Sequence, residues 1–227
     1  LKTSYDLVGS IAIIEIDKYM RKKEKIIAKA LLESNSSIKT VLRKDDKHSG
    51  EFRTQKMKWL AGEKTKETTH KENGVFLKLN VETVYCAPYP CVLSKNSQAE
   101  HIWGIELNPE GHKYGLENLK LNKINNVTLI NGDVNREVSK LKRKFDRILM
   151  PLPKDADSFL DVAVKAAKKN AVIHFYYFLH ESEFKKAEKL AKEACKRNKR
   201  RCKMLQIVKA GQHAPHVFRI CLDFRIL

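Results

Sequence analysis

The second half of the chain alternates between segments of strand character and segments with helical spacing of apolar residues. Strands are predicted at 102–107, 127–130, 145–150 and 171–177, and helices at 109–122, from 157 onward and at 183–198. This alternation predicts a mostly parallel sheet covered by helices on both faces. The last two predicted strands, 203–208 and 217–227, have no helix between them, so we expect an antiparallel hairpin there.

The first 84 residues have a different organisation. β-branched and alternating apolar residues predict strands at 8–16, 38–42, 52–60 and 75–84. Asp17 can cap a helix between the first two of these strands. We therefore predict two domains, a small α+β domain over residues 1–84 and an α/β domain over residues 85–227.

The charge of the chain points to a polyanionic partner. The 227 residues include 45 Lys and Arg against 27 Asp and Glu, which gives a formal net charge of +18. A folded chain with this excess repels itself, and RNA or DNA would relieve the repulsion. Hydrophobic residues make up 42% of the chain, which excludes a wholly disordered protein. No apolar run reaches the ~20 residues that a membrane span needs, so we expect no membrane association.

Cysteine and histidine spacing gives no metal or disulfide signature. The five cysteines are odd in number and form no Cys-x-x-Cys pair, which argues against a zinc knuckle and a disulfide framework. His213 and His216 are three residues apart in a predicted loop without a nearby cysteine or carboxylate. We expect no metal site and a reducing, cytoplasmic setting.

Polar residues follow three of the predicted strands, and ligands of open parallel sheets bind at such strand ends. The first strand ends in Glu106-Leu107-Asn108, where a carboxylate can accept both hydroxyls of a ribose. The second ends in Asn131-Gly132-Asp133, where a carboxylate or amide can receive an adenine amino group. The third ends in an extended Pro151-Leu-Pro-Lys segment, where a flat base can enter. Any one carboxylate could instead be a helix cap or a solvated loop residue.

These segments together resemble the archaeal and eukaryotic tRNA guanine-N1 methyltransferases. The resemblance is carried by Glu-Leu-Asn-Pro at 106–109, Glu-Asn-Leu-Lys-Leu-Asn-Lys at 117–123, Gly-Asp-Val at 132–134 and Pro-Leu-Pro-Lys at 151–154. Shorter segments at 4–9, 50–53, 60–63, 70–74, 214–215 and 222–226 extend it over almost the whole chain. It implies a class I, Rossmann-like methyltransferase sheet that uses S-adenosylmethionine to modify the guanosine immediately 3′ of the anticodon.

The resemblance also implies roles for individual residues. Arg53 matches an arginine that stabilises charge on the guanine, and the carbonyl of Pro151 could receive the guanine amino group where many relatives carry Asn. Glu106 and Leu107 would hold the cofactor ribose, and Asp133 with Val134 would flank adenine. The remaining predicted cofactor contacts are Tyr85, Ala87, Pro88, Tyr89, Asn108 and Pro151.

The tRNA anticodon arm is the predicted partner of a monomeric enzyme. Six cations fall within residues 196–203 at a predicted helix end, where they can favour the helix dipole or contact phosphate. The predicted RNA-binding residues are Arg53, Lys154, Lys196, Arg197, Lys199 and Arg200.

One stretch of the family pattern is missing. Val84-Tyr85 runs directly into Cys86-Ala87-Pro88, whereas the family has a helix, the first sheet strand and a glycine-rich loop in between. Usual element lengths make this roughly 30 residues, and they would include the acidic residue expected to act as general base. Because losing a central strand leaves its neighbours without ladder partners, we expect the given sequence to omit or join across this piece.

Two alternatives stay open. A related transferase moves the aminocarboxypropyl group of the same cofactor onto a tricyclic guanosine derivative. A chain that truly lacks the first strand and the general base would be a non-catalytic RNA-binding module.

Overall fold

The computed structural model describes residues 5–45, 50, 52, 54–84, 88–152 and 155–227. The chain forms two compact units, Leu1–Asp133 and Val134–Leu227. The division predicted between residues 84 and 85 stays a prediction. No helix within the described ranges combines the length and the hydropathy that a bilayer span requires.

The first unit begins with a four-stranded sheet and one helix. The elements are β1 (Tyr5–Val8), β2 (Ile11–Ile14), α1 (Glu24–Ser34), β3 (Thr40–Lys44) and β4 (Met57–Gly62). The sheet order is β1-β2-β3-β4, and only β2 and β3 run parallel. The single strand predicted at 8–16 is wrong, because Gly9 has a φ of +57° and reverses the chain between β1 and β2.

A hairpin and a βα segment complete this unit. They comprise β5 (Glu67–Glu72), β6 (Val75–Asn80), α2 (Tyr89–Asn96), β7 (Ile102–Glu106), α3 (Pro109–Leu121) and β8 (Val127–Asn131). Asn73 and Gly74 both have positive φ, at 46° and 80°, which is the backbone of a tight hairpin turn. Strands β7 and β8 pair in parallel as a two-stranded sheet. Strand β5 was not predicted, because its residues are mostly polar.

The side-chain amides of Asn118 on α3 and of Asn122, the C-cap of α3, pair with the edge of β6 that faces away from β5. The Asn118 side chain accepts a hydrogen bond from the Lys78 N–H (2.7 Å) and donates one to the Lys78 carbonyl (3.0 Å). Asn122 does the same with Phe76, at 2.8 and 2.6 Å. Four residues of helix rise about 6 Å and two residues of strand about 6.7 Å, so the two repeats match. The helix thus supplies the edge strand with a substitute ladder.

The second unit carries a four-stranded sheet with three helices. Its elements are α4 (Val134–Lys140), β9 (Phe145–Met150), α5 (Leu160–Ala166), β10 (Ala167–His180), α6 (Lys185–Arg197), β11 (Cys202–Ala214) and β12 (Val217–Ile226). The order is β11-β12-β10-β9, with β9 and β10 parallel and the other pairs antiparallel. The predicted C-terminal hairpin is confirmed in β11 and β12.

The core of the second unit lies between this sheet and the helices. Phe175 and Phe224 are fully buried, and alanines at helical spacing on α6 pack in the same cluster, namely Ala187, Ala191 and Ala194. Small residues on that helix face let α6 approach the sheet closely, while its opposite face is charged. This amphipathic arrangement is the one that the 3.6-residue spacing predicts.

We expect Asn122→Ala to lower the free energy of unfolding by about 1–3 kcal/mol, because the Phe76 N–H and carbonyl lose their partners in a buried setting. Urea unfolding measures the change. Lys120→Ala, on the exposed side of the same helix, is the matched control and should leave stability within about 0.5 kcal/mol of the parent. Equal stability of both variants would show that the amide ladder contributes nothing.

Candidate active site

The carboxyl ends of β7 and β8 are tied together by hydrogen bonds. The Glu106 carbonyl accepts from the Gly132 N–H (3.0 Å) and from the Asn131 side-chain amide (2.7 Å). The same amide also reaches the Leu107 carbonyl at 3.3 Å. Asp133 follows directly in the chain. Two of the three predicted strand ends, those at Glu106 and Asp133, therefore belong to one fixed turn region, and Leu107 is exposed beside it.

Asn108 fixes this turn with three hydrogen bonds. Its backbone N–H donates to Glu106 Oε1 (2.8 Å), and its side-chain oxygen accepts from the Glu110 N–H (3.0 Å) as the N-cap of α3. Its side-chain nitrogen donates to the Thr83 carbonyl (2.9 Å). Asn108 is only 7% exposed. Asn108 therefore both caps α3 and orients the Glu106 carboxylate, which is the predicted ribose ligand.

Two glycines allow close approach around Glu106. A Cβ on Gly111 would lie 3.3 Å from both Cγ and Cδ of Glu106, so the glycine leaves room for that side chain over the first turn of α3. A Cβ on Gly104 would lie 2.7 Å from Leu129 and 3.1 Å from Pro90, which brings α2 close to β7. Glycine in a helix is unfavourable by about 1 kcal/mol relative to alanine, and the close Glu106 side chain explains why Gly111 is present in α3.

A small hollow of about 70 Å³, partly open to solvent, lies next to Glu106. Its wall combines apolar groups with a few polar ones, among them Val84, Cys91, Ile105, Glu106, His112 and Tyr114. Burial raises the pKa of the Cys91 thiol, so that thiol stays protonated and behaves as an apolar group. The wall thus places apolar groups beside the Glu106 carboxylate.

Tyr114 closes one side of this cavity. Burial raises its pKa above the usual range, and its hydroxyl donates a hydrogen bond to the Glu67 carboxylate. Lys78 pairs with Glu117 at 3.1 Å nearby. Tyr114 therefore remains a neutral phenol and ties α3 to strand β5, which is a structural task rather than an acid–base one.

The other predicted cofactor residues fall in several places. Pro88 is the N-cap of α2 and Tyr89 is its first residue, so both begin the helix that packs on β7. Val134 is the half-buried first residue of α4, and Pro151 is half-buried directly after β9; both belong to the second unit. Tyr85 and Ala87 lie outside the described residues.

Some of the predicted RNA-binding residues already form ion pairs or hydrogen bonds within the protein. Arg197 forms a double contact with Asp161, including Nη2–Oδ2 at 2.8 Å, and holds the pKa of that carboxyl below its usual range. Arg200 donates to two backbone carbonyls at 3.3 Å. Lys196 and Lys199 are exposed near the end of α6. Arg53 and Lys154 lie outside the described residues.

Sequence reasoning missed one cluster of possible metal ligands in the second unit. His174, Cys221 and Asp223 bring their ligand atoms within 4.8 Å of one another. Asp223 accepts from His174 (2.7 Å), Gln206 (2.8 Å) and Cys221 (3.3 Å), so the carboxylate is satisfied by protein donors. The three residues lie on the paired strands β10 and β12, with His174 opposite Asp223. Their proximity could be predicted only if the register of these two strands were known. The predicted absence of a metal stays a prediction.

Several aromatic and histidine side chains outside the turn at Glu106 have partners within the protein. Trp59 is 38% exposed, and its indole N–H donates to the Glu63 carbonyl. His174 is half-buried and bonded to Asp223. His216 pairs with Glu181 at 2.7 Å.

Two family models match this chain. The TRM5/TYW2 methyltransferase domain matches residues 86–205, and the TYW2 N-terminal domain matches residues 1–65. The first match alone covers more than half of the chain. It contains both tied strand ends, β7 with Glu106 and β8 with Asp133.

Characterised relatives match along most of their length. The tRNA (guanine(37)-N(1))-methyltransferase Trm5b of Pyrococcus abyssi is 35% identical over 261 positions, covering 100% of this chain and 76% of the relative. Because this chain has 227 residues, about 34 of those 261 positions lie opposite gaps in it. The tRNA(Phe) (4-demethylwyosine(37)-C(7)) aminocarboxypropyltransferase of Methanocaldococcus jannaschii is 27% identical and covers 96% of each chain.

A solved structure described as the complex of aTrm5 and tRNALeu resembles the fold throughout. It has a TM-score of 0.85 at 30% identity and covers 100% of this chain and 72% of its own. The mixed sheets and helices of the present chain are thus shared with this group of enzymes. From the tied strand ends, the two domain matches and this common fold, we conclude that the chain belongs to the TRM5/TYW2 methyltransferase family.

Proposed function

We propose that this chain is a tRNA methyltransferase that moves a methyl group from S-adenosylmethionine to N1 of guanosine 37. The observation that carries the proposal is the fixed turn at Glu106, inside a domain that matches the methyltransferase family. The 35% identity to Trm5b, over the whole of this chain, supports the choice of base and atom. The net charge of +18 suits a tRNA partner.

The residues at the strand ends fit the adenosine part of this cofactor. The Glu106 carboxylate is oriented by the Asn108 N–H and has further lone pairs for the two ribose hydroxyls. Leu107 lies exposed beside it as an apolar contact, and Asp133 with Val134 flanks the adenine. The remaining contacts proposed from the family pattern are Tyr85, Ala87, Pro88, Tyr89 and Pro151.

The chain's own groups have to align the guanine and manage its proton. S-adenosylmethionine supplies a methyl group bound to a positively charged sulfur. The guanine must leave the anticodon-loop stack and lose its N1 proton, so that the new bond to carbon forms as the carbon–sulfur bond breaks. Arg53 stabilises the negative charge that develops on the base, and the Pro151 carbonyl accepts from its amino group. The proton-accepting carboxylate belongs to the segment missing between Tyr85 and Cys86.

The class I sheet explains where the missing segment belongs. In the order 3-2-1-4-5-6, the first strand lies between the second and the fourth. With β7 and β8 as the second and third strands, the absent first strand would border β7, which among the described residues pairs with β8 alone. The Trm5b alignment has in total about 34 positions opposite gaps in this chain, which is about the number of residues that this strand and a helix need.

The small domain over residues 1–84 would position the anticodon arm and supply Arg53, while residues 85–227 would bind the cofactor. We further propose that the enzyme acts as a monomer in the cytoplasm. Lys154, Lys196 and Lys199 would contact phosphates directly. Arg197 and Arg200 would contribute less, because Asp161 and two carbonyls already engage their guanidinium groups.

A second candidate function is transfer of the aminocarboxypropyl group onto a wybutosine-pathway guanosine derivative. It is favoured by the match of residues 1–65 to the TYW2 N-terminal domain. The M. jannaschii aminocarboxypropyltransferase also covers 96% of this chain. Both reactions use one cofactor and the same nucleotide position, and they differ in which carbon–sulfur bond breaks.

Incubation with tRNA and cofactor labelled separately in the methyl group and in the carboxyl carbon distinguishes the two reactions. We expect only methyl label in the tRNA, recovered as 1-methylguanosine after nuclease digestion and mass spectrometry. A transcript with adenosine at position 37 is the matched control and should stay unlabelled. A parallel reaction uses tRNA that carries the tricyclic guanosine derivative at position 37. Carboxyl label alone, in that tRNA, would establish the second candidate, and no transfer of either label to either tRNA would identify a non-catalytic RNA-binding module.

Glu106→Ala should weaken binding of S-adenosylhomocysteine by about 10- to 100-fold, because charge-assisted hydrogen bonds of about 1.5–3 kcal/mol are lost. Isothermal titration calorimetry measures the affinity. Glu110→Ala removes a carboxylate from the first turn of α3 and leaves the Glu106 carboxylate in place, so this variant should bind as the parent does. Unchanged affinity of Glu106→Ala would exclude the ribose assignment.

Lys196→Ala should reduce the slope of log affinity against log salt concentration by about one for the anticodon stem-loop, since one phosphate contact is lost. Fluorescence anisotropy between low and moderate salt gives the slope. Lys140→Ala is the control, because that lysine pairs with Glu137 on α4. Identical slopes for Lys196→Ala and the parent would remove the end of α6 from the RNA-binding surface.

A further inference from the structure

We propose that the outward surface of residues 18–29 binds single-stranded RNA, with the Tyr19 ring stacked on an unpaired base and the surrounding cations on phosphates. The inference rests on the proposed function and deepens it, because it names a part of the chain that would hold the tRNA substrate. We call this part the Tyr19 surface. It comprises exposed residues only, namely Tyr19, Ile26 and the six cations Lys18, Arg21, Lys22, Lys23, Lys25 and Lys29.

The segment has one face toward the core of the first unit and one face toward solvent. Residues Lys18–Lys23 form a 3₁₀ helix without a buried residue, and α1 follows from Glu24. On α1, Ala28 is fully buried and Ile27 packs half-buried against the same apolar cluster. The exposed residues of α1 in this segment are Lys25, Ile26 and Lys29.

Tyr19 is the most exposed large apolar or aromatic side chain among the described residues, at 95%, and Ile26 follows at 69%. Burying such side chains stabilises a folded chain, so two of them within eight residues point to a partner that covers them. The high exposure leaves nearly the whole Tyr19 ring accessible. An accessible ring can stack on any base, since every base has a π face.

The cations of the Tyr19 surface form no ion pair with an acid in the described part of the chain. The one acidic residue between Lys18 and Lys29 is Glu24, which is 8% exposed. Its carboxylate pairs with Lys58 (2.6 Å) and Arg43 (3.0 Å). The hydrogen bond from Lys58 holds the pKa of Glu24 below its usual value, so the carboxylate stays charged and engaged there. The positive charge of the outer surface is therefore left for an external anion.

A charged helix face without a binding role looks different in this chain. On α6, Lys189 pairs with Glu193 (4.0 Å) and Lys192 pairs with Glu188 (3.6 Å), each four residues apart. Such pairs neutralise one another along the helix. The Tyr19 surface instead combines unpaired cations with an exposed ring. This combination suits single-stranded RNA, whose phosphates attract the cations and whose unstacked bases accept an aromatic ring.

Tyr19→Ala should weaken binding of a fluorescein-labelled anticodon stem-loop by about 5- to 150-fold, because one base–aromatic stack is lost. Fluorescence anisotropy measures the dissociation constant. Tyr19→Phe keeps the ring and should stay within about threefold of the parent. Phe76→Ala removes another exposed aromatic side chain of the same unit and should leave the affinity unchanged. A loss below about fivefold in Tyr19→Ala, or an equal loss in Tyr19→Phe, would contradict the stack.

Stem-loops that each lack one loop base identify the base that stacks. We expect one position at which removal of the base costs the parent at least about fivefold and costs Tyr19→Ala less than about twofold, because two partners of one contact are not additive. A series in which every removal costs both proteins equally would overturn the proposal.

The double variant Lys22→Ala/Lys23→Ala should reduce the slope of log affinity against log salt concentration by about two, since two phosphate contacts are lost. Tyr19→Ala removes no charge and should keep the parent slope. Lys189→Ala is the control, because Glu193 pairs with that lysine. An unchanged slope in the double variant would refute phosphate contact at the Tyr19 surface.

Phosphatidylserine vesicles test a competing occupant, because apolar side chains among cations also suit an anionic membrane surface. We expect Tyr19→Ala to bind these vesicles as the parent does in a cosedimentation assay. Loss of vesicle binding in Tyr19→Ala with unchanged RNA affinity would assign the surface to a membrane and overturn the proposal.

The methyl-transfer assay of the parent keeps this inference separate from the proposed function. Stem-loop binding that depends on Tyr19, in a protein that transfers no methyl group, would refute the proposed enzyme and leave the Tyr19 surface standing. Methyl transfer by a protein whose RNA affinity is independent of Tyr19 would refute the surface and leave the enzyme standing.

Discussion

The amide of Asn108 is the interaction on which the proposed site depends. The buried Asn108 side chain caps the start of α3 and donates to the Thr83 carbonyl, and the backbone N–H of the same residue orients Glu106. An amide can do this because it carries a donor and an acceptor on one small planar group. An aspartate would cap the helix equally well but could not donate to Thr83. The turn at Glu106 and the residues that follow β6 therefore share one fixed point.

The second constraint is the backbone ladder of the sheet. Parallel strands in α/β proteins are buried and paired on both sides, because an unpaired buried N–H or carbonyl is costly. Strands β7 and β9 each have one partner among the described residues, and the residues of β7 are all half-buried rather than buried. In the proposed class I sheet, the absent first strand would complete the ladder of β7.

Much of the second half of the chain was predictable because strand and helix periodicities differ and polar residues mark the strand ends. The turn at Glu106 and the hairpin of β11 and β12 were found this way. Long-range partners were not predictable: nothing in the sequence pairs Glu82 with Met57 or Asn118 with Lys78. Alternation also shows that a strand has two faces but not which one meets the core, so the 38% exposure of Trp59 on β4 was not predictable.

The amide ladder of α3 has a consequence for self-association. An edge strand with free N–H and carbonyl groups is a template for pairing with another chain, and proteins usually protect such edges with charge, proline or bulges. Here β6 is covered on one side by β5 and on the other by Asn118 and Asn122. The Asn118 and Asn122 side chains therefore block strand pairing at this edge, and their loss would leave the edge of β6 open to pairing with another chain.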